Sequence, residues 1–105
     1  MAKKRQARPM KPDEVGAKKR GLFPSEVFHA FDELIAKDFQ NGQAVVGQWK
    51  VIDLMVKKGL KRDKIFSEGW LNIESVYEDA GWDVYYDKPG FNEDYEPSFH
   101  FTKKE

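Results

Sequence analysis

Eight of the first twenty residues are cationic: Lys3, Lys4, Arg5, Arg8, Lys11, Lys18, Lys19 and Arg20, against only Asp13 and Glu14, a net of +6. Cations at this density do one kind of chemistry well. They displace the counterions condensed on a nucleic-acid backbone, an interaction that fades as salt rises. A smaller set recurs in mid-chain, Lys57, Lys58, Lys61, Arg62 and Lys64. It would grip a phosphate backbone, and it would equally serve as a solvated corner between helices, with Lys57 and Lys58 at the negative end of one of them. The whole chain is formally neutral, so the remainder, with ten cations and sixteen carboxylates, carries −6. A basic end on an acidic body invites a polyanion at one place and a different partner, or none, at the other.

Catalytic chemistry has little to work with. There is no Cys, hence neither a disulfide framework nor a thiolate metal site. His29 and His100 fall on separate segments, and no GxSxG, Gly-rich phosphate loop or carboxylate pair tied to a base is present. Asp87, Glu93 and Asp94 lack the full oxygen-ligand loop of a divalent-cation site. The expectation is a protein that is not an enzyme, with no cofactor and no metal. No apolar run has the length of a membrane span, and no apolar segment follows the basic start as a secretory signal requires, so a soluble cytoplasmic protein with no membrane partner is expected.

The elements that must position these charges begin after the leader. Residues 1–21, with two Pro and no aromatic, predict a disordered basic arm, and 22–105 a single domain. Ser25 is the expected N-cap of a first helix whose core face is Val27, Ala30, Phe31, Leu34, Ile35 and Phe39, ended by Asn41-Gly42. Gln43 to Val46 suits a strand of one or two ladder pairs. Gly47-Gln48 opens a second helix in which Trp49, Val51, Ile52, Leu54, Met55 and Val56 are apolar around much of the circumference, with Gly59 as cap. Ile65 and Phe66 turn inward on a short helical turn closed by Gly69.

The centre of the chain changes period. Between Asn72 as N-cap and Gly81 as C′ residue, Ile73, Val76, Tyr77 and Ala80 share one helical face. Trp82, Val84 and Tyr86 then alternate with Asp83, Tyr85 and Asp87, a half-buried strand. Lys88-Pro89-Gly90-Phe91 predicts a type II turn. The returning strand has Tyr95, Pro97, Phe99 and Phe101 on one face, and Pro97 argues that it lies at an edge.

This order predicts an α+β, winged-helix-like fold: three main helices, plus a short helical turn, packed on a small antiparallel sheet with a C-terminal β-hairpin. In that fold the helix before the hairpin enters the major groove and the hairpin loop, the wing, touches the backbone or the minor groove. Here that helix brings Glu68, Glu74, Glu78 and Asp79, and the wing brings Asp87, Glu93, Asp94 and Glu96. Carboxylates repel phosphates, so binding of DNA or RNA falls to the leader and the Lys57 to Lys64 corner, with little sequence preference. The alternative is a protein-interaction module that binds a host protein through Phe28, Glu74, Glu78, Tyr85 and Phe91; a homodimer through that surface is also open.

Residues 65–101 carry the pattern WLxIxxxYxxAGWxVxYDKPxxNxxYxxxFxF, from Trp70 and Leu71 through Ile73, Tyr77, Ala80, Gly81, Trp82, Val84, Tyr86, Asp87, Lys88, Pro89, Asn92 and Tyr95 to Phe99 and Phe101. It resembles a class of small proteins of tailed bacteriophages and prophages, over roughly residues 24 to 103 and not the leader. The resemblance implies a viral protein in the host cytoplasm and supplies no catalytic residue. Most matching positions are those that periodicity assigns to core, cap or turn; Lys88 and Asn92 are expected to organise the wing loop.

Overall fold

In the computed structural model, which describes residues 21–104, the chain runs α1 (Ser25–Asp38), β1 (Gln43–Gly47), α2 (Gln48–Lys57), α3 (Arg62–Ser67), α4 (Glu74–Asp79), β2 (Trp82–Asp87) and β3 (Ser98–Lys103). Four helices thus pack on one three-stranded antiparallel open sheet of order β1-β3-β2. The expected arm over residues 1–21 lies, apart from Gly21, outside the described residues. The central helix is shorter than its periodicity suggests, six residues, no longer than α3.

The core is a stack of rings on one sheet face. Phe31 of α1 meets Phe99 edge-on at 5.1 Å and Phe101 at 6.1 Å, Tyr77 of α4 meets Phe101 at 5.2 Å, and Tyr86 lies 4.8 Å from Phe99. Val27, Ala30, Ile35, Val51, Ile52, Met55, Ile65 and Ile73 close around them. Each large apolar side chain removed from water is worth about 1.5–3 kcal/mol, and well-placed ring pairs add about 0.5–1.5 kcal/mol. The period-3.6 stripe on α1 and the alternation on β2 therefore have the burial they predict, except that Phe39 is past the helix end and 45% exposed.

The helix ends differ from expectation for identifiable reasons. Ser25 is already inside α1; Pro24, held extended, is the cap and its carbonyl accepts Val27 N–H at 3.0 Å. Asn41 and Gly42, with φ of 54° and 79°, do not cap α1 but form a type I′ turn in which Gln40 and Gln43 exchange both backbone bonds. That turn aims β1 along β3, where it makes five register pairs rather than one or two. Asn72 does not cap α4 either. Its N–H donates to Gly69 O at 3.0 Å in the turn after α3, and α4 starts one residue later than expected, at Glu74 with Ile73 as cap.

α2 has the core stripe Gln48, Val51, Ile52 and Met55, while Trp49 and Val56, although part of its apolar circumference, are 49% and 40% exposed. Phe66, also expected inward, is 51% exposed on α3. α2 ends in a Schellman motif, with Gly59 N–H bonded to Val56 O and Leu60 N–H to Met55 O.

β3 is the middle strand, not an edge. Pro97 falls one residue before it, so its missing N–H interrupts no ladder, and its carbonyl accepts Gln48 N–H at 2.9 Å. Gly90 does not adopt a positive φ, which excludes the type II turn; the loop instead turns at Gly90 to Glu93, where Glu93 N–H donates to Gly90 O at 3.1 Å.

Candidate functional site

The basic corner is built by two helix ends. The Schellman turn at Gly59 closes α2 so that Lys57 and Lys58 sit at its last carbonyls, and Lys61, Arg62 and Lys64 follow on the cap and body of α3. Three of the five cations already face carboxylates: Lys58 Nζ lies 3.3 Å from Glu33, Arg62 Nη2 3.1 Å from Asp53, and Lys64 Nζ 3.9 Å from Glu68. Among the described residues Lys57 and Lys61 have no such partner. The other expected phosphate contacts, Lys3, Lys4, Arg5, Arg8, Lys18, Lys19 and Arg20, lie outside the described residues.

Three of the four acids of the hairpin loop, Asp87, Glu93 and Glu96, accept hydrogen bonds from within the fold. Glu96 Oε2 accepts Trp49 N–H at 2.9 Å and, with the Pro97 carbonyl on Gln48 N–H, caps the start of α2 from 47 residues away. Gly47 makes room for it, since a Cβ there would lie 2.7 Å from Glu96 Oε2. Glu93 Oε1 accepts Gly90 N–H at 2.9 Å. Asp87 Oδ1 accepts the Tyr95 hydroxyl at 2.9 Å, and that hydroxyl also reaches the Lys88 carbonyl at 2.8 Å. The bond to Asp87 pushes the Tyr95 phenol up to about 12. Lys88 thus helps organise the loop through its backbone.

On α4, Glu74 is half-buried at the first position and its charge adds to the burial that raises the Tyr86 phenol; the Tyr86 hydroxyl donates to the buried Gln48 Oε1 at 2.6 Å. Glu78 is exposed, and its backbone carbonyl accepts Lys104 Nζ at 2.9 Å. Val76 and Tyr77 turn into the core. Burial first, then a 2.7 Å bond to Asp32, raises the Tyr77 phenol well above its ordinary value.

Of the aromatics expected on the surface, Tyr85 and Phe91 are 65% and 100% exposed. Phe28 is not free: it is half-buried between Phe23, at 5.5 Å, and Tyr77, at 6.0 Å, and covers the seam between α1 and α4. Trp49 and Phe66 are exposed surface residues that ring type alone concealed. Trp49 lies on the flank of the Gln48, Val51, Ile52, Met55 stripe, about 100° round the helix from Gln48.

Ser98, His100 and Asp87 come together on the open face of the sheet, yet without the geometry of a nucleophile relay. Ser98 Oγ is 3.1 Å and Asp87 Oδ2 3.9 Å from the same ring nitrogen, Nε2, whereas a relay needs the carboxylate at Nδ1. Among the described residues no group of three or more His, Cys, Asp or Glu is placed to hold a metal ion, and no helix is long and apolar enough to cross a membrane. Comparison with protein-family models, curated proteins and solved structures finds no match.

Proposed function

We propose that the chain is a non-enzymatic, winged-helix-like module of phage type that binds DNA or RNA through phosphates, in the host cytoplasm, with the basic leader supplying most of the affinity. The observation that carries this reading is the separation of charge, +6 in the first twenty residues against −6 in the rest. The strand order β1-β3-β2, with α4 leading directly into the hairpin, agrees with that fold. The body adds little sequence preference: α4 has six residues, two of them committed to the core and three acidic, which suits neither the length nor the charge of a groove-reading helix. A second reading, docking to a host protein through Glu74, Glu78, Tyr85 and Phe91, is favoured by the full exposure of Phe91.

The test is fluorescence anisotropy of labelled duplex DNA, single-stranded DNA and RNA. The full chain is compared with a variant in which Lys3, Lys4, Arg5, Arg8, Lys18, Lys19 and Arg20 are replaced by Gln. Binding should weaken with salt at a log–log slope of about −5 to −7 and should vanish in the variant. Absence of binding at low salt, or binding that survives the substitutions, overturns the proposal.

A further inference from the structure

The two edges of the sheet are finished differently. The bonds from Lys103 N–H to Gly42 O and from Lys104 N–H to Gly81 O set the phase of both ladders. Ala44 and Val46 exchange bonds with β3, and the outward groups of β1 belong to Gln43, Val45 and Gly47. That edge is blunted, because Gln43 closes its turn with Gln40 and the Asp38 carboxylate accepts Val45 N–H at 2.7 Å. On β2 the residues bonded to β3 are Asp83, Tyr85 and Asp87, so Trp82, Val84 and Tyr86 turn their backbone groups away from the sheet. Among the described residues no backbone or side-chain group bonds the N–H of Val84 or Tyr86. No Pro, Lys or bulge interrupts the strand, which are the usual protections of an edge.

We infer that β2 is the surface through which two copies of this chain join, antiparallel, into a continuous six-stranded sheet. The occupant is a second copy because WDVYYD can pair with itself over its length in a register that sets no carboxylate opposite another. With Val84 opposite Val84 of the second copy, the outward residues pair with one another and make about six backbone hydrogen bonds. In that register Trp82 stands opposite Tyr86 on the helix-covered face, Asp83 opposite Tyr85 on the open face, and Asp87 opposite Gly81. No carboxylate faces a carboxylate. Shifting the two-fold axis by one residue puts Asp83 against Asp87, or Asp83 against itself, and like charges directly opposite destabilise a pair. The resulting contact is isologous and closes on itself, so it yields a dimer and not a filament.

The experiment is sedimentation equilibrium of the full chain, freed of nucleic acid, at physiological salt over about 10 μM to 1 mM, where a single strand-to-strand contact assembles by mass action. Two variants change one exposed side chain: Tyr85→Asp places a carboxylate opposite Asp83 twice per dimer, and Tyr85→Lys places a cation there. Tyr85 packs against no core residue, and circular dichroism checks that both variants fold. The parent should dimerise, Tyr85→Asp should raise the dissociation constant about tenfold, and Tyr85→Lys should lower it about threefold or more. A monomer throughout the range overturns the inference. So does a dimer indifferent to both substitutions, which uses another surface, or one weakened by both, which places Tyr85 opposite itself. None of these outcomes depends on whether the leader binds nucleic acid.

Discussion

The corner from Lys57 to Lys64 and the loop from Asp87 to Glu96 are the two conspicuously charged segments of the folded body, and they use charge in opposite ways. In the corner, charged atoms meet other charged side chains at the surface, as in Arg62 with Asp53, both more than half exposed. In the loop, carboxylates accept from backbone N–H groups and a neighbouring hydroxyl: Glu96 from Trp49 N–H in the first turn of α2, Glu93 from Gly90 N–H, Asp87 from the Tyr95 hydroxyl. A water-exposed ion pair exchanges partners at almost no cost, about 0–1 kcal/mol. A carboxylate that caps a helix N-terminus gives up a fixed, charge-assisted acceptor to water when it leaves, at a cost of about 0.5–2 kcal/mol. The sign of a patch therefore does not tell a binding surface from a clasp; the atom at the other end does.

The largest effect that tests this contrast is on the loop. Glu96→Ala should destabilise the protein by about 1 kcal/mol, the typical loss of an N-cap acceptor, and Glu96→Gln, which retains an acceptor, should recover part of it. Gly47→Ala should act on the same clasp from the other side by driving a Cβ into Glu96 Oε2. Urea unfolding measures all three. A change within about 0.5 kcal/mol for Glu96→Ala would place the loop with the corner and end the distinction.

An intermediate effect appears in alkali. In the unfolded chain a tyrosine ionises near 10, whereas the hydrogen bond to Asp87, with burial second, holds Tyr95 protonated up to about 12 in the folded chain. A folded value above the unfolded one means that the contribution is intact below about pH 10 and is lost as pH rises through 12, because the unfolded state sheds its proton first. Tyr77 acts in the same direction through burial and its bond to Asp32. The melting temperature should therefore fall above pH 10, and the fall should be shallower in Tyr95→Phe than in the parent. Parallel curves would mean that Asp87 does not hold Tyr95 in solution.

The contrast also explains which features were legible in the sequence. Local periodicity reports burial well: the Val27, Ala30, Phe31, Ile35 stripe and the Trp82, Val84, Tyr86 alternation are the observed core faces or their margins. It fails where a residue's partner is remote. Nothing near Glu96 in the chain announces that its target is Trp49 N–H, so it reads as one more wing carboxylate. Ser25 and Asn72 have the right chemistry for caps and lose the position to Pro24 and to the Gly69 turn. Pro97 argues for an edge strand only if the strand starts at Tyr95; β3 begins three residues later, at Ser98, and a central strand then has no quarrel with it. The candidate corner is legible as a set of cations, as is the i,i+4 pair of Lys64 with Glu68, but not the pairs of Lys58 with Glu33 and Arg62 with Asp53, whose partners lie on different helices.

The smallest effect is the one expected from the corner itself. Lys58→Ala and Arg62→Ala should each change stability by no more than about 0.5 kcal/mol, because the pairs they break are solvated and screened. Their value lies in the salt dependence of the nucleic-acid binding proposed above. Each phosphate neutralised contributes about −0.9 to the log–log slope on duplex DNA, so replacing all five corner cations should reduce the slope by at most about 2, the share of Lys57 and Lys61, if Lys58, Arg62 and Lys64 keep their carboxylates. A reduction of about 4 or more would show phosphate displacing Glu33, Asp53 and Glu68. The exposed pairs would then be a reserve of cations released on contact, and Asp53→Asn, which frees Arg62 in advance, should tighten binding without steepening its dependence on the leader.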